Sequence, residues 1–158
     1  MSPYDQTTAL KLAAEFMARD DIEGFRAAPY KCPAGVPTIG IGSTTYPDGR
    51  PVTMRDPAIT RDRAVELCMM HLRARCLPAV LQFCPGLDSP VRAAALLSWC
   101  YNLGEGRLER SGLRIAVNAR NWPGAAVEIR KWNKAGGRVL PGLVARRDLE
   151  AQMLIRGG

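Results

Sequence analysis

The chain has 158 residues, 47% hydrophobic and 23% charged, a balance that fits one globular domain and excludes disordered or fibrous sequence. Its net charge is +7 at pH 7, and of the 22 basic residues only Lys11, Lys31, Lys131 and Lys134 are lysines. That charge draws the molecule toward polyanions through a screened force. No long block of like charge occurs, and Arg146-Arg147 is followed by Asp148 and Glu150, so a nucleic-acid reader is not expected.

No apolar stretch approaches the roughly 20 residues of a membrane helix, so no stable membrane insertion is expected. The N-terminus lacks the basic segment, apolar core and small-residue site of a signal peptide. Cys32, Cys68, Cys76, Cys84 and Cys100 form no CxxC pair, so neither a zinc site nor a redox motif is indicated, and no metal is expected. On a helix Cys68 and Cys76 stand about 12 Å apart, too far for a disulfide with each other. Cys84 reaches Cys76 or Cys100 only if the intervening turn brings them together, and buried free thiols are the expectation.

In chain order, Thr7 or Thr8 caps a first helix to about Arg19, with Leu10, Ala13, Ala14 and Met17 as its apolar stripe. From Phe25 to Val52 frequent Gly and Pro alternate with short β-prone pieces such as Val36 to Ile41, which predicts a small antiparallel sheet. Thr60 then caps a long helix to about residue 84, with a bend at Pro78. Ser89-Pro90 starts a helix apolar nearly all round, a buried central element ended by Gly104. Shorter helices are predicted over Ser111 to Asn118 and Trp122 to Trp132, then a glycine loop at Gly136-Gly137, then a last helix from about Leu143. Repeats, low-complexity tracts and flexible linkers are absent.

The stretch IEGFRAAPYKCPAGVPTIGIG carries the chemistry. It offers Glu23 as a carboxyl beside glycine-rich backbone, Cys32 as a thiol and Thr38 as a hydroxyl along a predicted hairpin. One proton donor and two groups able to hold a water are what glycoside cleavage needs: an acid for the leaving oxygen and, for inversion, a water on the opposite face.

Three blocks, IEGFRAAPYKCPAGVPTIGIGST, LLSWCYNLGEGRLERSGL and RKWNKAGGRVLPGLVARRDLE, resemble the phage-type lysozymes, the muramidase endolysins of glycoside hydrolase family 24. The resemblance implies an α+β, mainly helical fold with a single domain over 1–158: an N-terminal helix and small sheet lobe (1–59), a connecting helix (60–84) and a helical C-terminal lobe (85–158). It implies a hydrolase of the β-1,4 bond between N-acetylmuramic acid and N-acetylglucosamine in peptidoglycan, inverting, without cofactor, acting in host cell lysis.

The family's catalytic positions fall on Glu23, Cys32 and Thr38, with Glu23 as an acid kept protonated in a site poor in water. Cys32 departs from a two-carboxylate scheme, and three readings stand: orienting the water, a redox handle, or packing. Tyr101, Asn102 and Gly104 match the block lining the sugar cleft, Trp132 stacks on a sugar or serves the core, and Arg146 or Arg147 approaches Glu23. Ser43 stands where the family has histidine, and Gly112 where it has threonine. The lone histidine, His71, reads as structural.

With no export signal in view, the expectation is a monomer that accumulates in the host cytoplasm and depends on a holin to reach the wall. The alternatives are a wall-binding protein of lysozyme fold with little turnover and a lytic transglycosylase.

Overall fold

The computed structural model describes residues 3–158. It places among them α1 (Gln6–Met17), β1 (Arg26–Lys31), β2 (Pro37–Gly40), α2 (Arg61–Arg75), α3 (Leu77–Phe83), α4 (Pro90–Leu103), a 3-10 turn (Glu105–Arg107), α5 (Gly112–Asn118), α6 (Trp122–Arg130), β3 (Lys134–Ala135), β4 (Arg138–Val139) and α7 (Pro141–Arg156). The fold is therefore α+β and mainly helical, as the sequence predicts.

Helix α1 buries Ala9, Leu10, Ala13, Ala14 and Met17, the predicted stripe. Its cap is Asp5 rather than Thr7 or Thr8: the Asp5 carboxylate accepts the Thr8 N–H at 3.0 Å, a charged acceptor satisfying one of the helix's orphan donors. After α1 the Met17 carbonyl accepts both the Glu23 and Gly24 N–H groups at 3.0 Å. Gly24 takes φ +79°, a left-handed conformation that reverses the chain and leaves Glu23 on the outside of the turn.

Strands β1 and β2 are antiparallel, with Tyr30 opposite Thr38 and Lys31 opposite Pro37. Cys32 opens the connecting turn, its N–H donating to the Val36 carbonyl at 3.0 Å. The sheet is smaller than predicted. Beyond β2 only isolated bridges, Ile39 to Ser43 and Thr45 to Pro51, continue it.

The long helix predicted over 60–84 is two helices. Thr60 caps α2 as expected, accepting the Arg63 N–H at 3.1 Å, but α2 ends at Arg75 and Pro78 sits in the first turn of α3. Proline has no N–H to extend the α2 ladder, and its fixed φ suits a helix start. Helix α4 is the central element: Ala93 through Cys100 are all buried, and it packs against α1, α3 and α7. Gly104 ends it at φ +93°. Helix α7 begins at Pro141, two residues earlier than predicted, and the Gly136-Gly137 loop is the tip of a β3–β4 hairpin.

All five cysteines are free. Cys68, Cys76, Cys84 and Cys100 are buried as expected.

Candidate active site

Glu23 is held by α7. Arg146 Nη1 lies 2.6 Å from Glu23 Oε1, and the Arg146 side chain is 5% exposed against 26% for Glu23. A buried guanidinium thus grips a carboxylate at the surface. Of the two arginines considered from the sequence, Arg146 makes this contact. The expectation is a carboxyl in a site poor in water; Glu23 is partly exposed and lies against Arg146.

Arg146 is itself fixed from behind. Its Nη2 donates to the Ser98 carbonyl at 2.9 Å, and its Nε faces Glu150 Oε2 at 3.4 Å. Glu150 is fully buried; it accepts the Ser98 hydroxyl at 2.6 Å and stands 2.8 Å from Arg147 Nε. Burial pushes the Glu150 carboxyl up, opposed by the charges of Arg147 and Arg146. The distance to Arg147 Nε is that of an ion pair, but the N–H is out of line with Oε1 and makes no proper hydrogen bond. The pair is electrostatic, without directional bonding. Arg147 Nη2 donates to Asn102 Oδ1 at 2.7 Å.

The other side of Glu23 is backbone. Gly42, at φ +74°, packs so tightly that a Cβ there would stand 2.7 Å from the Tyr101 hydroxyl and 3.7 Å from Glu23 Oε2. Tyr101 donates that hydroxyl to the Gly42 carbonyl at 3.0 Å. Burial, and then the charge of Glu23, raise the Tyr101 phenol above its ordinary value. Cys68 is pushed up to about 12 by burial, with Glu23 adding to the shift.

Cys32 and Thr38 lie at the same end of the hairpin, Cys32 in the turn and Thr38 on β2. The Val36 and then the Ala34 backbone N–H groups stabilise the Cys32 thiolate and hold the thiol below its ordinary value. Thr38, 2% exposed, donates to the Val36 carbonyl at 2.9 Å. A hydroxyl has one proton. With that proton on Val36, Thr38 presents lone pairs only and accepts from a neighbour.

Of the remaining expected site residues, Asn102 is exposed one turn beyond Ser98, and Gly104 lies at the end of the same helix. Trp132 packs edge-on against the buried Trp99, centroids 5.3 Å apart, and is partly exposed, so its ring serves the core. Ser43, in the position of the family histidine, is buried and doubly hydrogen-bonded to Ile39 through the backbone. At Gly112 a Cβ would stand 2.7 Å from Glu128 Oε2, so a larger residue here would require the Glu128 side chain to turn aside.

His71, read from the sequence as structural, is exposed on α2. Its ring meets Tyr101 edge-on at 5.3 Å and, with Thr44, Tyr46, Leu67, Met70 and Arg75, it lines an open cavity of about 470 Å³.

Residues 20–150 match the family model described as Phage lysozyme. The chain belongs to the phage lysozyme family. It is 32% identical over 141 residues to the SAR-endolysin of Bacteriophage PS119, a match covering 87% of this chain and 79% of that protein. It is 40% identical over 85 residues to the Endolysin of Bacillus phage B103, covering 49% of this chain and 32% of that protein, so the matched part is about a third of that relative's length. Its fold is similar to a solved mutant of P22 lysozyme, with TM-score 0.80 and 26% identity over 91% of this chain and 95% of that one. Membership sets the class of activity: a glycoside hydrolase of the lysozyme and endolysin kind, acting on peptidoglycan.

Proposed function

We propose that this phage lysozyme hydrolyses the β-1,4 bond between N-acetylmuramic acid and N-acetylglucosamine with inversion, Glu23 protonating the leaving oxygen while Cys32 and Thr38 hold the attacking water. The observation that carries the reading is the pairing of Glu23 with Arg146 on an edge that remains partly open to solvent. An arginine has no acceptor, so a proton on Oε1 would face a donor. Oε2, toward Gly42, is the oxygen left to carry the proton to the glycan. Thr38, its own proton on Val36, accepts a hydrogen of the water, and Cys32 supplies the second contact.

The reading treats 1–158 as one lysozyme domain, residues 1–59 and 85–158 forming lobes joined by 60–84, with Tyr101, Asn102 and Gly104 along the sugar cleft and Trp132 supporting it. It acts as a monomer, accumulating in the host cytoplasm and reaching the wall through a holin-made lesion. Wall lysis that needs no co-expressed holin would overturn this last part. Among the described residues no helix is long and apolar enough to cross a membrane.

Mass spectrometry of purified peptidoglycan digests tests the reaction. The expected product has a reducing N-acetylmuramic acid end; an anhydro end would identify a transglycosylase, and intact strands with wall binding would identify a non-catalytic relative. Digestion in water labelled with oxygen-18, read by NMR before the anomers equilibrate, checks inversion. An initial β anomer would contradict it.

A further inference from the structure

We propose that Arg147 is a positioning residue: it fixes the carboxamide of Asn102 so that its Nδ2 hydrogens face the glycan and donate to an acetamido carbonyl oxygen of the substrate. The inference rests on the proposed lytic reading and adds a polarity to one contact within it.

Arg147 is 0% exposed, on the one helix that also supplies Arg146 to Glu23. Its Nη2 donates to Asn102 Oδ1 at 2.7 Å. A guanidinium only donates, so the amide oxygen must turn toward it and the NH2 away. Asn102 is exposed, and among the described residues no acceptor takes its Nδ2. Asn102 stands one turn beyond Ser98 on α4, and Ser98 accepts from the same Arg146 that holds Glu23.

The arginine is a costly way to fill the core. Its Nε and Nη1 have no well-formed hydrogen bond although both are buried, and Glu150 is buried with it as counter-charge. Apolar side chains of similar volume often serve stability as well as such a pair. The feature that an apolar residue would not supply is the fixed orientation of Asn102. A donor aimed outward recognises an acceptor. On the aminosugar polymer the proposal assigns that acceptor to the N-acetyl carbonyl, and de-N-acetylation converts it to an ammonium, which cannot accept.

The test titrates soluble glycan strands, N-acetylated or chemically de-N-acetylated, onto protein in a Glu23→Gln background, which is blocked from turnover under the proposed mechanism. Asn102→Asp keeps the size and the contact to Arg147, exchanges the outward donor for an acceptor and adds one negative charge, which by itself favours the ammonium-bearing strands. It should weaken binding of N-acetylated strands about tenfold, roughly one buried hydrogen bond, without weakening binding of de-N-acetylated strands. Asn102→Leu, which removes the outward donor without adding charge, is the control and should show the same loss on N-acetylated strands. Arg147→Gln should erode the same preference, because its amide can present either donor or acceptor to Asn102. A purely structural Arg147 would lower the melting temperature and leave the preference intact. If Arg147→Gln does not fold, Asn102→Asp decides. Equal losses on both strands, or none on either, would overturn the proposal. The lysis assay of Glu23→Gln reports separately on the acid assignment.

Discussion

Arg146 Nη1 and Glu23 Oε1, 123 positions apart in the chain, meet at 2.6 Å and tie the turn after α1 to the last helix. The pair joins the carboxyl proposed as the acid to a buried network of Ser98, Glu150 and Arg147, and through Arg147 to the exposed Asn102. Docking of α7 and orientation of the acid are therefore linked through one contact.

Arg146→Lys keeps the charge but loses the planar fork that reaches Glu23, Ser98 and Glu150 together. Lysis should fall by about tenfold or more and stability by about 3 kcal/mol, the scale of a broken buried ion pair. Wall-clearing rates and urea melts check both. Unchanged lysis would show that Glu23 does not need its partner.

Gly42→Ala places a Cβ 2.7 Å from the Tyr101 hydroxyl at φ +74°. The left-handed strain alone is about 1–2 kcal/mol, and the clash adds to it. The variant should melt lower and lyse poorly. Adding Tyr101→Phe should recover part of the stability by removing the obstructing oxygen, while leaving the strain. Absence of any recovery would mean the contact with Tyr101 is not what excludes a side chain.

Cys32 is the thiol to label. Its sulfur is partly exposed and held low by the Val36 and Ala34 N–H groups, whereas burial pushes Cys68 and Cys84 up to about 12. Thiolate is the reactive form. Native protein should consume one equivalent of thiol reagent quickly, at Cys32, and five after unfolding. A fast phase that survives Cys32→Ser would contradict this.

Asp56 gives a pH signature to the loop beside β2. Its carboxylate accepts the Tyr46 hydroxyl at 2.6 Å, the Thr53 N–H at 3.0 Å and the Thr53 hydroxyl at 2.7 Å. The Tyr46 bond, then those from Thr53, hold its pKa at about 2. The folded value lies below the unfolded one of roughly 3.9, so the stabilisation is present in full above that value and is lost as pH falls through about 2. Wild type should melt above Asp56→Asn near neutrality, and the gap should narrow between those two values. A gap that stays constant there would rule out the linkage.

Much of this was legible in the sequence because it is local. Thr60, Ser89 and Ser111 cap helices through bonds to N–H groups three residues on, and apolar spacing marked the buried faces of α1 and α4. Asp5 was passed over because the threonines beside it are also good caps, and the choice turns on one backbone angle. The break at Cys76 was hidden because the apolar pattern runs on through Pro78. At the site, the hairpin spacing of Cys32 and Thr38 could be read directly. The Glu23–Arg146 pair, His71 against Tyr101, and the polarity of Asn102 could not, because each joins elements far apart in sequence.

Glu23→Gln is the most direct test of the central claim. It removes the transferable proton while keeping the shape and an amide oxygen for Arg146. Lysis of purified walls should be lost to background while the circular dichroism spectrum and wall binding persist. Lysis continuing at or near the wild-type rate would contradict the assignment of Glu23 as the acid.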